Sequence, residues 1–128
     1  MARKMQYDQG TYQIRLVIKR KTKIPVGSLG MFDFESGIYV YTGRAKRALS
    51  SRLLRHLNKD KPRCWHIDYL TTHPDVNILD VAIVSPDPQD ECIENKKLLR
   101  CRDNLVPAKG FGSSDCKSNC SSHLVKVG

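Results

Sequence analysis

The hydrophobic positions change period several times along the chain, and each change marks a predicted element. From Thr11 to Lys19 the segment TYQIRLVIK alternates and is rich in β-branched and aromatic residues, which predicts a strand entered at Gly10. IYVYT, from Ile38 to Thr42, predicts a second strand in which Tyr39 and Tyr41 share one face while Ile38 and Val40 take the other. Between them lie the basic run KRKTK and the segment IPVGSLGMFDFESG, whose glycines and proline predict turns and a short edge strand. AKRALSSRLLRHLNK then switches to helical spacing. Leu49, Leu53, Leu54 and Leu57 form its apolar stripe, Arg52 and His56 lie together beside it, and Arg55 sits further round.

After the basic loop KDKPRC, WHIDYLTTHPD has no clear period and reads as a helical turn or irregular piece anchored by Trp65, Ile67 and Leu70. VNILDVAIVS, Val76 to Ser85, predicts another strand, stopped by PDPQD. DECIENKKLLRCRDNL reads as a helix with Asp90 placed to cap it and with Glu91 and Glu94 in its first turn. A loop rich in glycine and serine follows, and Ser122 to Val127 is a predicted last strand. Hairpin strands followed by helices predict an α+β fold, a small central, mostly antiparallel sheet flanked by helices. At 128 residues the expectation is one domain spanning 1–128.

Charge adds a partner to this picture. Lys and Arg number 22 against 13 Asp and Glu, a formal net charge of +9 that favours a polyanion through attraction and counterion release. No apolar run reaches the roughly 18 residues of a membrane span, and MARKMQYDQG has a basic start without an apolar stretch behind it, so the expected location is cytoplasmic, with no membrane partner. An odd count of five cysteines argues against a disulfide framework. Cys64, Cys92 and Cys101 read as reduced, partly buried thiols. Cys116, Cys120 and His123 could offer three metal ligands, but Cys-x3-Cys-x2-His is not a standard zinc-ribbon pair and no fourth ligand is evident, so structural zinc is not expected.

The remaining polar residues supply parts for phosphodiester chemistry: sheet tyrosines, an Arg/His pair on the following helix, and carboxylates at the start of a later helix. Cleavage of such a bond needs a cation to offset charge on phosphate, a metal-holding carboxylate and a group that positions or deprotonates a nucleophile. A free tyrosine, with a pKa of about 10, is a poor base at neutral pH. A hard divalent ion held by a carboxylate such as Glu91 makes the scheme more workable. Any basic α+β domain can offer this set, and a nucleic-acid-binding module fits it as well.

At YTGRAKRALSSRLLRHL the residues become more specific. Tyr41-Thr42-Gly43, followed nine residues later by Arg52 and then by Arg55 and His56, resembles the second half of the GIY-YIG endonuclease motif. GTYQIRL, VGSLG, WHIDYL, EC, GFGSSDC and SHL, in that order between Gly10 and Leu124, resemble the small standalone Uri-like branch of that superfamily. The family sets its two motifs on neighbouring strands. Gly37-Ile38-Tyr39 runs straight into Tyr41 without a turn, so Gly10-Thr11-Tyr12 is the better first motif.

The resemblance implies a metal-dependent endonuclease hydrolysing DNA, with RNA as an alternative substrate and a non-catalytic nucleic-acid-binding module as the alternative function. It implies Tyr12 as general base or water-positioning group, Tyr41 as its partner near the phosphate, Arg52 as the cation for the transition state, and His56 as an aid to proton transfer or phosphate binding. Glu91, with Glu94 as rival, would bind one Mg²⁺ or Mn²⁺ ion. Gly43, Arg44, Lys46 and Arg55 would contact phosphate. Tyr39, His66, Asp68 and Asp115 would support the site from behind, and the chain would act as monomer or homodimer. Thr11 and Thr42 depart from the family's isoleucines but stay β-branched. Arg44, in place of a small residue, adds charge beside the expected phosphate site.

Overall fold

The computed structural model describes residues 8–113, 116 and 118–128. Its central sheet has four antiparallel strands in the order β5-β1-β4-β6: β1 is Gly10–Ile18, β4 Gly37–Ala45, β5 Val76–Ser85 and β6 Leu124–Val127. The segment between β1 and β4 forms a separate antiparallel hairpin, β2 (Thr22–Val26) and β3 (Gly30–Phe34), where a single edge strand was expected. Among the described residues three helices complete the α+β fold: α1 (Leu49–Leu57), α2 (His66–Thr71) and α3 (Glu91–Leu99). WHIDYL is thus regular helix, begun by the Asp68 carboxylate accepting from the Trp65 N–H at 2.9 Å.

Alternation along β1 sends Tyr12, Ile14, Leu16 and Ile18 into the core, while Arg15 on the other face pairs with Asp80 of β5 near solvent. Phe34, Tyr39, Leu49, Ile67, Leu70, Phe111 and Leu124 close around the same core. Burial of each such large side chain stabilises the fold by roughly 1.5–3 kcal/mol.

The helix α1 departs from its predicted stripe. Leu54 and Leu57 are 68% and 52% exposed, and the buried line runs through Leu49 and His56, with Leu53 partly covered. These positions follow i, i+4, i+7 spacing, so helical periodicity held while the polar partner of His56 chose the face. Ala48, in the left-handed conformation, cannot cap α1 with its methyl group. Asp8 does so instead, accepting from Ser50 N at 3.1 Å and from Ser50 Oγ at 2.9 Å, which ties the approach to β1 onto the helix start. Asp90 likewise does not cap α3: it accepts from Ser85 Oγ, and Asp87 caps the preceding turn.

No helix among the described residues is long and apolar enough to cross a membrane.

Candidate active site

The β1–β4 register pairs Tyr12 with Gly43 and Ile14 with Tyr41, so both tyrosines stand on one face, one step apart on the diagonal. Gly43 has no side chain because Tyr12 crosses it: a Cβ there would lie 2.6 Å from both Cζ and the hydroxyl oxygen of Tyr12. At Gly10 a Cβ would lie 2.5 Å from the Ser85 carbonyl oxygen, so glycine opens the first motif for backbone reasons. Tyr39 shares the face with Tyr41, but its hydroxyl donates to the Glu35 carbonyl at 2.7 Å and its ring packs edge-on against Phe34. Tyr39 is therefore a core residue, and Gly37-Ile38-Tyr39 contributes nothing to the cleft.

The tyrosines open onto a cleft of about 340 Å³ lined also by Arg44, Arg52, Trp65, His66 and Glu91. The Tyr12 hydroxyl lies 2.7 Å from His56 Nε2, in a contact closed to solvent. Among the described residues, His56 Nδ1 has no hydrogen-bond partner. Burial, then the Lys61 ammonium, lowers the His56 pKa to about 4, so the imidazole is neutral near pH 7. Burial pushes the Tyr12 phenol well above its ordinary value, and the attraction of Arg52 offsets only part of that rise. Tyr41 is raised for the same first reason, with Tyr12 and Glu91 adding to it. Neither tyrosine is a standing phenolate at neutral pH, so any proton it accepts must be matched by one it gives up.

The cations around the cleft have different occupations. Arg52 donates to the Arg44 carbonyl at 2.8 Å and lies 4.8 Å over the Trp65 ring, which holds it in the cleft wall. Arg44 Nε is 3.7 Å from Glu91. Lys46 lines an adjoining recess with Arg44 and Glu91. Arg55 contradicts its expected role in phosphate binding. Its guanidinium makes two 3.0 Å bonds to the buried Asp68 carboxylate, a third to the Pro62 carbonyl, and lies 4.3 Å over the Trp65 ring. Asp68 also accepts from Cys64 N at 2.8 Å. Burial alone would raise the Asp68 pKa, but Arg55 and these N–H groups outweigh it and the net shift is downward. Lys61 completes the group, donating to the Arg55 and His56 carbonyls at the end of α1. His66 and Asp68 support different groups: His66 Nδ1 accepts from Gly112 N at 2.8 Å, and its ring lines the cleft. Asp115 lies outside the described residues.

Glu91, the first residue of α3, is the one carboxylate among the described residues lining the cleft. Glu94 turns away to Lys97 at 2.9 Å. Sequence reasoning named neither Trp65 as the stacking platform for two arginines nor Gly112 as the anchor of His66. An aromatic residue two turns of chain beyond a basic helix is the only signal for the former.

The metal chemistry corrects an expectation. A single Mg²⁺ or Mn²⁺ ion with no structural zinc was predicted, because Cys116, Cys120 and His123 lacked a fourth ligand. Cys92, on α3, joins them: one ligand atom from each of the four residues lies within 4.8 Å of the others. The fourth ligand was invisible because it stands 24 residues upstream of Cys116, in another element.

An antiparallel α+β domain with paired tyrosines, an arginine and one glutamate in a basic cleft is the class that fold and geometry define. A family model described as domain of unknown function DUF123 matches residues 11–128, and the chain belongs to that family. No curated protein and no solved structure matches the chain.

Proposed function

We propose that this chain is an endonuclease that hydrolyses phosphodiester bonds in nucleic acid, with DNA as the first candidate substrate. The observation that carries the reading is the convergence of Tyr12, Tyr41, Arg52 and Glu91 on one cleft, with His56 bonded behind Tyr12. A net charge of +9 supports a polyanionic substrate. In this reading Arg52 offsets the charge that develops on the phosphate oxygens during in-line attack, and Arg44 meets the flanking backbone. Tyr12 orients the attacking water and accepts its proton while passing its own to His56 Nε2. The cations near His56 oppose its protonation, and a bound phosphate supplies the negative charge that relieves this. Glu91 sets its carboxylate in the same cleft, 3.7 Å from Arg44 Nε.

The test is cleavage of supercoiled plasmid and of structured DNA and RNA oligonucleotides with divalent cations. Arg52→Ala and Glu91→Gln, checked as folded by circular dichroism, should each lose about 10²-fold or more in rate. Undiminished cleavage by both variants removes the mechanism. The second reading, a binding module without turnover, is favoured by the burial that keeps both tyrosines protonated. It expects salt-sensitive binding, unchanged in Glu91→Gln, with no product from any substrate.

A further inference from the structure

We propose that Cys92, Cys116, Cys120 and His123 form a four-coordinate structural zinc centre that clamps the first turn of α3 onto the Tyr41–Gly43 end of β4. The four residues come from one helix and from the segment that leads into β6. Cys92 is the second residue of α3, Cys116 and Cys120 lie in the loop before β6, and His123 immediately precedes β6.

The spacing of the ligand atoms fits a metal better than a disulfide. Cys92 Sγ lies 3.3 Å from Cys116 Sγ and 4.0 Å from His123 Nε2. A tetrahedral zinc ion with bonds of about 2.3 Å to sulfur and 2.0 Å to nitrogen separates its ligands by about 3.5–3.8 Å. A disulfide needs sulfurs about 2.05 Å apart, and all five cysteines are free thiols.

His123 provides an independent observation. Its Nδ1 lies 3.2 Å from the Thr42 carbonyl oxygen, and its ring is buried. A carbonyl oxygen can only accept, so this contact puts the ring proton on Nδ1 and leaves the Nε2 lone pair aimed at the thiols. Metal-bound histidines are oriented in this way, by donating their other N–H to a carbonyl or carboxylate. The His123 backbone is pinned as well: its N–H donates to Phe111 O at 2.7 Å and its carbonyl accepts from Thr42 N at 3.0 Å.

Three thiolates and a neutral imidazole on Zn²⁺ leave one net negative charge, and Arg44 and Lys46 line the recess that Cys92 and Cys116 share. A sulfur-rich tetrahedral set selects zinc over hard oxygen-seeking cations. Glu91 adjoins Cys92 in sequence, and its carboxylate lies 3.7 Å from His123 Nδ1. The centre therefore fixes the carboxylate that lines the cleft. The zinc assignment stands without the nuclease reading, and only the consequence for Glu91 rests on it.

The test uses the full chain purified without chelator. Elemental analysis should find one zinc per chain, and cobalt exchanged for zinc should give tetrahedral ligand-field bands with a sulfur-to-cobalt charge-transfer band. Cys92→Ser and His123→Ala should each weaken metal binding by about 10-fold or more, whereas Cys101→Ser should retain it. Zinc removal should raise hydrogen exchange in the first turn of α3 and at Thr42–Gly43 above that in β1 and β5. Substoichiometric metal, an octahedral cobalt spectrum, or a Cys92–Cys116 disulfide found by mass analysis of the wild-type protein would each overturn the proposal. These readouts need no nucleic acid. A zinc-bearing chain that cleaves nothing refutes the nuclease alone, and a zinc-free chain that cleaves refutes the zinc centre alone.

Discussion

Replacing Gly43 by alanine adds one methyl group at the point where β1 and β4 bring the two motif halves together. The new Cβ would fall 2.6 Å from Tyr12 Cζ and its hydroxyl oxygen and 3.0 Å from Cε1. Unstrained carbon contacts lie at about 3.5–4.0 Å, so the Tyr12 ring or the strand pair must move by roughly 1 Å. Tyr12 is 2% exposed and held from behind by His56, with ring centroids 5.4 Å apart, so the ring cannot simply swing aside. Overpacking of this kind costs about 1–3 kcal/mol, and a 1 Å displacement of a positioning group lowers rate by about 10²-fold. Urea denaturation would measure the first effect and plasmid nicking the second. Combining Gly43→Ala with Tyr12→Leu should recover part of the lost stability, since the clash loses its second partner. Wild-type stability in Gly43→Ala would refute the observed packing, and wild-type nicking in a destabilised protein would refute the role given to Tyr12.

Further outcomes follow from the polar groups behind the cleft. His56 titrates at an ordinary 6.5 when unfolded and about 4 when folded, so its contribution is complete above about pH 6.5 and is lost as pH falls toward 4. The loss from this group is on the order of 3 kcal/mol, and His56→Gln should flatten the stability profile across that window; an unchanged profile would sink the assignment. Asp68→Asn, which strips Arg55 of a charged partner inside the fold, should destabilise by about 2–4 kcal/mol in urea titrations, and a change below about 0.5 kcal/mol would mean the pair is dispensable. Glu94→Gln should cleave like the wild type, because Glu94 faces Lys97 and not the cleft; a loss equal to that of Glu91→Gln would reverse the choice between them.

Local pattern carried most of the fold. Alternation marked β1 and β4, and Val76–Ser85 is β5 at both of its predicted ends. Where a short stretch lacked a period, as in WHIDYL, the reading left a helical turn or an irregular piece open, because a buried aspartate begins the helix, not an apolar stripe. The hairpin of β2 and β3 was read as turns and a short edge strand, since its pairing is with itself, which no single segment can announce.

The sequence by itself determined the elements, the basic charge, and the likeness of Gly10-Thr11-Tyr12 and Tyr41-Thr42-Gly43 to a two-part motif, because each of these is written in neighbouring residues. Only the tertiary structure decided how distant residues divide the work. It set Tyr12 across Gly43, withdrew Arg55 to Asp68 and Tyr39 to Glu35, and turned Glu91 rather than Glu94 toward the cleft. It also carried Cys92 to Cys116, Cys120 and His123. The reason is physical: a side chain's role depends on which partners share its face and its burial, and strand register and helix rotation fix those only when the chain has closed on itself.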